Sequence, residues 1–404
     1  MKEYRQTYLV YNIIIKKMFI LKEEMKLKEI YLDNSATTVT CQPACKKVLE
    51  MLSENYGNPS SLHLKGMQAE KELIEARKTI ADKIKCKESE IVFTSGGTEA
   101  NNLAVIGACE RRKKLGNRVI VSAIEHSSVI SSAKELEDRG FNVVYVKPDK
   151  FGRIDEKEIE KELSKDTIFV SLMYVNNEVG SIQPVEKIKK MLKVKSPNAI
   201  FHVDAVQAFG KIDISVKKID ADLMTITAHK IHGPKGVGAL YIRKGILLKP
   251  LVFGGEQEYK IRPGTQAISL IAGFAEAVKD LPKCKDEYEH ISSLRDYLVS
   301  ELKKIESVRI NSGEDSFPYI VNFSVLGIRS EIMLHHLEEN GIYVSSGSAC
   351  AKGQKSHVLK SMDLDDEVID SAIRVSFSKY NTKEDINSIV DSIKSGITRI
   401  RKGG

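Results

Sequence analysis

The sequence predicts an α/β protein with a large domain built on a mostly parallel seven-stranded sheet and a smaller α+β domain. From Ile91 to about Arg243, short apolar runs rich in β-branched residues alternate with helical stretches. Such runs are typical of strands buried on both faces, as in a parallel sheet covered by helices. After about Leu281 the alternation ends and a long charged helical segment follows, which indicates the second domain.

Seven runs predict the strands of the large sheet. In chain order they are Ile91–Thr94, Val119–Ser122, Val143–Val146, Ile168–Met173, Ile200–Val203, Leu223–Thr227 and Ala239–Ile242. A glycine-rich segment after His232 returns the chain into the last of them.

The smaller domain is predicted from a helix between Asp286 and about Glu306 and from two strand candidates, residues 319–323 and 373–377. The last helix carries apolar residues three, four and seven positions apart, which gives it one apolar face. These residues are Ile386, Ile389, Val390, Ile393, Ile397 and Ile400. We expect residues 25–37 and 285–404 to form the small domain, and residues 38–284 to form the large α/β domain.

Residues 1–24 are predicted to be an extension to this fold. Lys16 and Lys17 interrupt their apolar run, so no uncharged stretch approaches the ~20 residues that a bilayer requires. The small-residue cleavage site of a signal peptide is also missing. Two interpretations stay open, a loosely attached leader or an over-long gene assignment, and no membrane association is expected.

The composition favours an ordinary globular protein of the cytoplasm. The chain has 404 residues, of which 42% are hydrophobic, and this is ample for large buried cores. The net charge of +7 comes without a basic run interleaved with aromatics, so no direct nucleic-acid partner is expected. Six scattered cysteines in a chain too large to need disulfides indicate a reducing compartment. Cys41 and Cys45 have the spacing of half a metal site, but no second pair follows; we predict a helix start there and no metal.

Lys230 and Asp204 form the most informative pair of the sequence, since each follows or ends a predicted strand. Pyridoxal phosphate needs an amine that holds it as a Schiff base and a carboxylate beside its ring nitrogen, which keeps the pyridinium protonated. Taken alone, Lys230 is more simply an exposed surface lysine. Other polar residues at the carboxyl ends of predicted parallel strands, where ligands bind in open α/β sheets, change that interpretation. They are Gln207, His229 and the turn at Gly97 and Thr98.

The turn Ser95–Glu99 joins the first strand to a helical stretch, residues 100–112. Its glycines let the backbone approach an anion, N–H groups at the helix start point toward that anion, and the Thr98 hydroxyl adds a donor. Two interpretations stay open for this turn. It is either a phosphate cradle or a tight strand–helix connection with Thr98 as the N-cap.

His126 and Cys350 are further candidates. His126 follows the second predicted strand, where an imidazole either stacks on a cofactor ring and moves protons or serves as a structural histidine. Cys350 lies in the small, polar segment 344–356 with lysines just after it, which is the setting of a reactive thiol. Cys86 and Cys109 instead have the character of small core residues.

Together these residues resemble the cysteine desulfurase family of the NifS/IscS type, within the fold-type-one, class V aminotransferase-like pyridoxal-phosphate enzymes. The matching stretches follow the family's order from about Ile30 to the C-terminus. They are Tyr31–Thr38, Gly57–Ser61, Phe93–Glu99, Val175–Gly180, His202–Gln207, His229–Gly236, Arg262–Thr265 and Ser345–Cys350. This breadth makes the resemblance specific.

The resemblance implies roles around the ring of the cofactor, pyridoxal 5'-phosphate. Lys230 would hold it covalently, Asp204 would pair with the pyridine nitrogen, and His126 would stack on the ring. Gln207 and Asn177 would lie near the ring hydroxyl.

It also implies a phosphate set and a substrate set. The phosphate would be bound by Gly97, Thr98, Thr227 and His229. Thr265 would reach that phosphate from the other subunit of a homodimer. Arg374 would clamp the substrate carboxylate with its planar bidentate fork, assisted by Asn34.

By the same resemblance the substrate is L-cysteine, and the products are L-alanine and a persulfide on Cys350. Lys230 or another base would take the α-proton. The sulfur would then pass to an acceptor protein, either an iron–sulfur scaffold or a tRNA-thiolation enzyme. Residues 351–355 depart from the family's usual sequence, which leaves the acceptor open.

Two alternative functions stay open. A selenocysteine lyase or cystine-type lyase on the same fold would need no protein thiol, so Cys350 discriminates between it and a desulfurase. A non-catalytic scaffold is suggested by the leader and the basic surface, yet every expected catalytic position carries a competent side chain.

Overall fold

The computed structural model describes residues 29–346 and 355–403, so the predictions for residues 1–24 and for Cys350 lie outside the described residues. In the described chain the strands are β1 (Ile30–Tyr31), β2 (Ile91–Thr94), β3 (Arg118–Ser122), β4 (Asn142–Val146), β5 (Thr167–Ser171), β6 (Ile200–Asp204), β7 (Leu223–Thr227), β8 (Gly238–Ile242), β9 (Val308–Ile310), β10 (Ile320–Val325), β11 (Ile342–Tyr343) and β12 (Ala372–Ser376). The α-helices are α1 (Gln42–Ser53), α2 (Leu64–Ile84), α3 (Gly97–Arg112), α4 (Ser127–Asp138), α5 (Glu156–Glu162), α6 (Val185–Lys195), α7 (Val216–Ile219), α8 (Ile268–Lys279), α9 (Cys284–Leu302), α10 (Ser330–Glu339), α11 (His357–Ser361), α12 (Asp366–Asp370) and α13 (Lys383–Gly403).

Strands β2 to β8 form one seven-stranded sheet in the order β2-β8-β7-β6-β5-β3-β4. Neighbouring strands are parallel except at β8, which is antiparallel to both β2 and β7. Every residue of β2, β5, β6, β7 and β8 is buried, as expected for strands covered by helices on both faces. The predicted mostly parallel α/β sheet is therefore confirmed.

The two faces of this sheet bury separate hydrophobic clusters. Val92 of β2 packs in one cluster with residues of α3 and α4, whereas Ile91 and Phe93 pack in the other with residues of α1, α2 and α8. This alternation follows from the two-residue period of a strand. Cys109 lies fully buried in the first cluster, which confirms its prediction as a core residue.

The predicted strand Ile168–Met173 ends earlier than the sequence suggested, because β5 stops at Ser171. The adjacent β3 ends at Ser122, so beyond that point the Met173 N–H donates to the Glu125 carboxylate (2.6 Å) instead of to a strand. A side chain therefore completes the edge of the sheet at this point.

A second group of strands and helices follows the large sheet. Strands β12, β10 and β9 form an antiparallel sheet, and β1 pairs in parallel with β11. The predicted final helix is α13, and its Ile386, Ile389 and Ile393 side chains are fully buried. It contacts α9 and α10.

The start of the described chain joins this second group, since β1 pairs with β11 and Asp33 forms a bridge with Ser376. We keep the assignment of residues 25–37 and 285–404 to a small domain as a proposal. Cys41 is the N-cap of α1, which confirms the predicted helix start. Among residues 29–346 and 355–403, no helix is long and apolar enough to cross a bilayer. The same ranges contain no cluster of His, Cys, Asp or Glu suited to a metal ion.

Candidate active site

A cavity of about 730 Å³ lies at the carboxyl ends of the parallel strands. Its wall is formed by the turns after β2, β3, β5, β6 and β7 together with residues of the second group of elements. The cavity brings together most of the residues that the sequence singled out. They are Gly97, Thr98, His126, Asn177, Asp204, Gln207, Thr227, His229, Lys230 and Arg374.

Three predicted site residues are not placed there. Cys350 lies outside the described residues. Thr265 is exposed and does not line the cavity of its own chain. Asn34 is buried behind the wall, where its side-chain amide donates to the Ser376 carbonyl at 2.9 Å. The structure therefore shows Asn34 as a tie between the chain after β1 and β12, and no contact with the cavity supports its predicted substrate role.

Asp204 ends β6, and its carboxylate is held by donors on both oxygens. Oδ2 accepts from the Asn101 side-chain amide at 2.8 Å, and Oδ1 accepts from the Val206 backbone N–H at 3.0 Å. The Asn101 amide also donates to the Ser128 hydroxyl at 2.9 Å, which links α3 to α4 behind the acid. The carboxylate is therefore fixed before any ligand binds.

Lys230 ends a single 3-10 turn, Ala228–Lys230, that directly follows β7. The chain folds back sharply here, and a Cβ at Gly233 would lie 2.9 Å from the Ala228 carbonyl oxygen, so the bend requires glycine. The Lys230 amine donates to the carbonyl oxygens of Ser35 and Ala36, at 2.5 Å each. Lys230 thus lines the cavity, and the segment after β1 holds its amine there by hydrogen bonds.

His126 is the N-cap of α4, and its Nδ1 accepts from the Ser128 backbone N–H at 3.2 Å. Because a backbone N–H can only donate, the neutral ring carries its proton on Nε2. Burial lowers the pKa of His126; Asp204 opposes this effect and Lys230 adds to it. His126 is therefore a half-buried, neutral imidazole, and both Asp204 and Lys230 influence its pKa.

The helix after β2 begins two residues earlier than a cap at Thr98 would give. Gly96, with φ of 152°, is the N-cap and α3 begins at Gly97, so Thr98 is not the cap of this tight strand–helix connection. A Cβ at Gly238 would lie 2.9 Å from the Gly96 Cα, so β8 can approach this turn only as glycine. N–H groups of the first helical turn lack acceptors within the helix and offer themselves to an anion.

The other residues predicted to bind the phosphate come from the end of β7. The Thr227 hydroxyl donates to the Val237 carbonyl at 3.2 Å, and the residue is fully buried. Burial, with Lys230 and Lys235 nearby, lowers the pKa of His229 to about 3. His229 is thus a neutral imidazole, and it lies 3.3 Å from the Thr37 hydroxyl through Nδ1. A neutral ring can donate one N–H to an anion without carrying a buried charge.

Arg374, on β12, supplies the cationic side of the cavity and is 1% exposed. Its Nη2 pairs with Asp33 at 2.7 Å, and its Nη1 donates to the Asn177 carbonyl at 3.1 Å. These bonds hold the guanidinium in one orientation at the cavity wall. A planar fork in a fixed orientation is suited to a carboxylate ligand.

The residues present fit pyridoxal phosphate. The Gln207 Oε1 and Asn101 Oδ1 atoms are buried at the cavity without a hydrogen-bond partner in the described part of the chain. Buried polar groups are nearly always satisfied in proteins, so such atoms indicate that a ligand completes the site. The cavity combines the Asp204 carboxylate, the Lys230 amine and the N-terminus of α3, and these suit the ring nitrogen, the aldehyde and the phosphate of that cofactor respectively.

Sequence reasoning missed several residues of the wall. Asn101, Glu178 and His357 line the cavity, and Glu125 lies just behind His126. Burial raises the pKa of Glu125 to about 8, with Asp204 adding to the effect, and raises that of Glu178 to about 7. The available signal was adjacency, because the two acids stand next to His126 and Asn177 in the chain.

The fold and the cavity define a protein of the class V aminotransferase type. The chain matches the aminotransferase class-V family model over residues 30–389 and belongs to that family.

Within this family the similar proteins are cysteine desulfurases, which confirms the resemblance seen in the sequence. The chain is 39% identical to cysteine desulfurase IscS of Dictyoglomus turgidum, covering 93% of this chain and 96% of that protein. It is 40% identical to putative cysteine desulfurase IscS 1 of Bacillus subtilis, covering 93% and 100% respectively.

Solved structures agree. A NifS-like protein superposes with a TM-score of 0.87 at 37% identity, covering 92% of this chain and 99% of that one. A structure of SspA in complex with cysteine superposes with a TM-score of 0.78 at 32% identity, covering 87% and 100%.

Proposed function

We propose that this protein is a pyridoxal-phosphate-dependent cysteine desulfurase that converts L-cysteine to L-alanine and carries the sulfur as a persulfide on Cys350. The observation that carries the proposal is one cavity lined by Lys230, Asp204 and Arg374. The names of the relatives, and the cysteine complex of a similar structure, support the substrate.

Lys230 would hold the cofactor covalently and Asp204 would pair with its ring nitrogen, with His126 against the ring and Asn177 and Gln207 near its hydroxyl. The phosphate set would be Gly97, Thr98, Thr227 and His229, with Thr265 added by a second copy of the chain. When bound, the cofactor supplies an electron sink for the bonds at the substrate Cα.

The chain's own residues would orient the substrate and move its protons. Arg374 would bind the carboxylate, and its bonds to Asp33 and Asn177 keep it from turning away. The Lys230 amine, already at the cavity wall, would take the α-proton. With the substrate carboxylate held by Arg374 and the amine of Lys230 held by the protein, the substrate Cα–H bond would face the base. This orientation is the entropic contribution to catalysis.

The sulfur step would use the Cys350 thiolate as the nucleophile. Its sulfur attacks the substrate sulfur, so that an S–S bond forms while the Cβ–S bond breaks. The electron pair of the broken bond stays with Cβ, which takes a proton to become the methyl group of alanine. The substrate thiol proton leaves to solvent, and the persulfide then passes to an acceptor, for which we propose an iron–sulfur scaffold or a tRNA-thiolation enzyme in the cytoplasm.

A homodimer is the proposed assembly. Thr265 is exposed, and large apolar side chains of α1, of the segment that leads into α2 and of the segment before Thr265 are exposed as well. They include Leu62 at 97% and Phe253 at 78% exposure. Exposed apolar surface favours a protein–protein interface, and a second copy would cover these side chains while receiving Thr265.

The test compares Cys350→Ala with Cys45→Ala, a matched change at an exposed cysteine outside the cavity. We expect Cys350→Ala to abolish persulfide formation while the visible absorbance of lysine-bound cofactor persists, and Cys45→Ala to behave as wild type. Full sulfur transfer by Cys350→Ala would refute the desulfurase assignment and favour a lyase that needs no thiol. Lys230→Ala should lose the covalent cofactor signal; if it keeps the same reducible imine, the cofactor assignment is wrong.

A further inference from the structure

Glu178 is a buried carboxylate of the cavity wall to which the proposed reaction gives no task. It follows Asn177 in the turn after β5 and is 2% exposed. Its backbone is fixed, since its N–H donates to the Asn176 side chain at 2.8 Å and its carbonyl accepts from Asn322 at 3.2 Å. Burying a carboxylate is costly unless its bonds serve a purpose, so the partner of its side chain is informative.

That partner is Ser356, whose hydroxyl bonds to Glu178 Oε2. Ser356 is the N-cap of α11, and its oxygen accepts from the Leu359 N–H at 3.1 Å. The hydroxyl proton therefore stays available to the carboxylate. Breaking a buried hydrogen bond leaves polar groups without partners, which is costly, so this contact attaches the start of α11 to the turn after β5.

One further bond fixes α11 in the same place. His357 Nε2 donates to the Glu125 carbonyl at 2.9 Å, and this acceptor belongs to the turn after β3, next to His126. The Ser361 hydroxyl instead donates to the His357 carbonyl of its own helix at 2.8 Å. The helix thus starts at the cavity, with its first residue lining the wall.

The other end of the same stretch of chain is fixed as well. Ser345 and Arg374 exchange backbone hydrogen bonds of 3.2 and 2.7 Å. Cys350 follows Ser345 by five residues and precedes Ser356 by six. Six residues of extended chain span at most about 20 Å, which is the upper limit for the distance between Cys350 and Ser356 along the chain.

We propose that Glu178 and Ser356 are positioning residues for sulfur transfer: their hydrogen bond fixes the downstream end of the Cys350 segment and so sets how often the thiol meets the substrate sulfur. The proposal rests on the desulfurase function and assigns a task to a pair that neither binds the cofactor nor touches the reacting atoms. Loss of the bond enlarges the volume that the thiol samples, which lowers its effective concentration at the substrate.

The experiment is a single-turnover reaction of the holoenzyme with L-cysteine that follows two signals. One is the substrate-induced change in cofactor absorbance, and the other is persulfide on Cys350. In Ser356→Ala we expect the first signal and the KM for cysteine to be unchanged, while the persulfide forms about tenfold more slowly. Ser361→Ala is the matched control, because it removes a hydroxyl from the same helix without touching Glu178, and it should match wild type.

Rescue and coupling complete the test. Ser356→Thr keeps the hydroxyl and should restore most of the rate. Glu178→Ala should slow the same phase, and the double variant should be no slower than the slower single variant, because both changes remove one interaction. Equal rates for Ser356→Ala and Ser361→Ala, or equal slowing of both signals in Ser356→Ala, would overturn the proposal. Absence of persulfide in the wild-type protein would instead refute the desulfurase function itself.

Discussion

Replacing Glu125 with glutamine should stabilise the protein at high pH and leave it unchanged at low pH. Glu125 is fully buried, and only one of its oxygens is satisfied, by the Met173 N–H at 2.6 Å and the Ser122 hydroxyl at 3.1 Å. Oε2 has no partner within the part of the chain that the structure describes. Glutamine keeps the accepting oxygen and copies the neutral acid in shape.

The magnitude follows from the pKa of Glu125, which burial and the nearby Asp204 raise from 4.5 to about 8. A tenfold change in an ionisation constant corresponds to about 1.4 kcal/mol, so full ionisation costs the folded protein about 5 kcal/mol relative to the unfolded chain. Because the folded pKa is the higher one, the folded state binds more protons. The contribution of Glu125 to the free energy of unfolding is therefore highest below pH 4.5, decreases as the pH rises to about 8 and is constant above that pH.

The assay is chemical denaturation of cofactor-free protein at two pH values, between which most of this decrease in the free energy of unfolding occurs. Between about pH 6 and pH 9, Glu125 should cost the wild type about 3 kcal/mol that Glu125→Gln does not lose. The control is Glu70→Gln, a change at an exposed glutamate of α2, for which the difference from wild type should not depend on pH. A Glu125→Gln protein whose stability tracks that of the wild type at both pH values would refute the reasoning that Glu125 is neutral in the fold.

Three further predictions concern charged groups. Asp204→Asn should keep the fold but lower turnover by about 100-fold, because a neutral amide cannot stabilise a protonated ring nitrogen; steady-state kinetics and the spectrum of the bound cofactor check this. Arg374→Lys should raise the KM for cysteine by about tenfold or more with a smaller change in kcat, since lysine cannot pair with both Asp33 and a substrate carboxylate as a fork. Glu258→Ala should lower the free energy of unfolding by about 3–5 kcal/mol, because it leaves Arg77, bonded to Glu258 at 2.7 Å, as a buried charge without that partner. A decrease smaller than the one caused by breaking an ion pair at the surface would contradict this prediction.

The sequence was most informative where one physical effect determines the structure. Strands β2 and β7 have the bounds that their runs of apolar and β-branched residues predicted, because burial on both faces favours such side chains throughout a strand. The direction of a strand has no such signature. The antiparallel course of β8 comes from the return of the chain after Lys230, and its apolar run is like those of its parallel neighbours.

The residues of the cavity differ in the same way, since some could be predicted from the sequence and others could not. Lys230 and Asp204 could be found because strand ends meet at one edge of a sheet, whatever the details of packing. The possible cap at Thr98 lies two positions beyond the N-cap of the structure, Gly96, and only the structure shows that Gly96 adopts a φ of 152°.

Glu125 and Glu178 were missed despite their adjacency to His126 and Asn177, because carboxylates in a sequence are exposed by default and their burial is decided by segments far away in the chain. Glu178 meets Ser356 after an interval of 178 residues, and the Glu125 carbonyl meets His357 after 232. Both contacts lie where the turns after β3 and β5 meet the start of α11, downstream of Cys350, and both acids have raised pKa values there. The buried Glu178 carboxyl group is better explained by the proposed positioning of the Cys350 thiol than by stability, because apolar side chains of similar volume would hold the same elements together at lower cost.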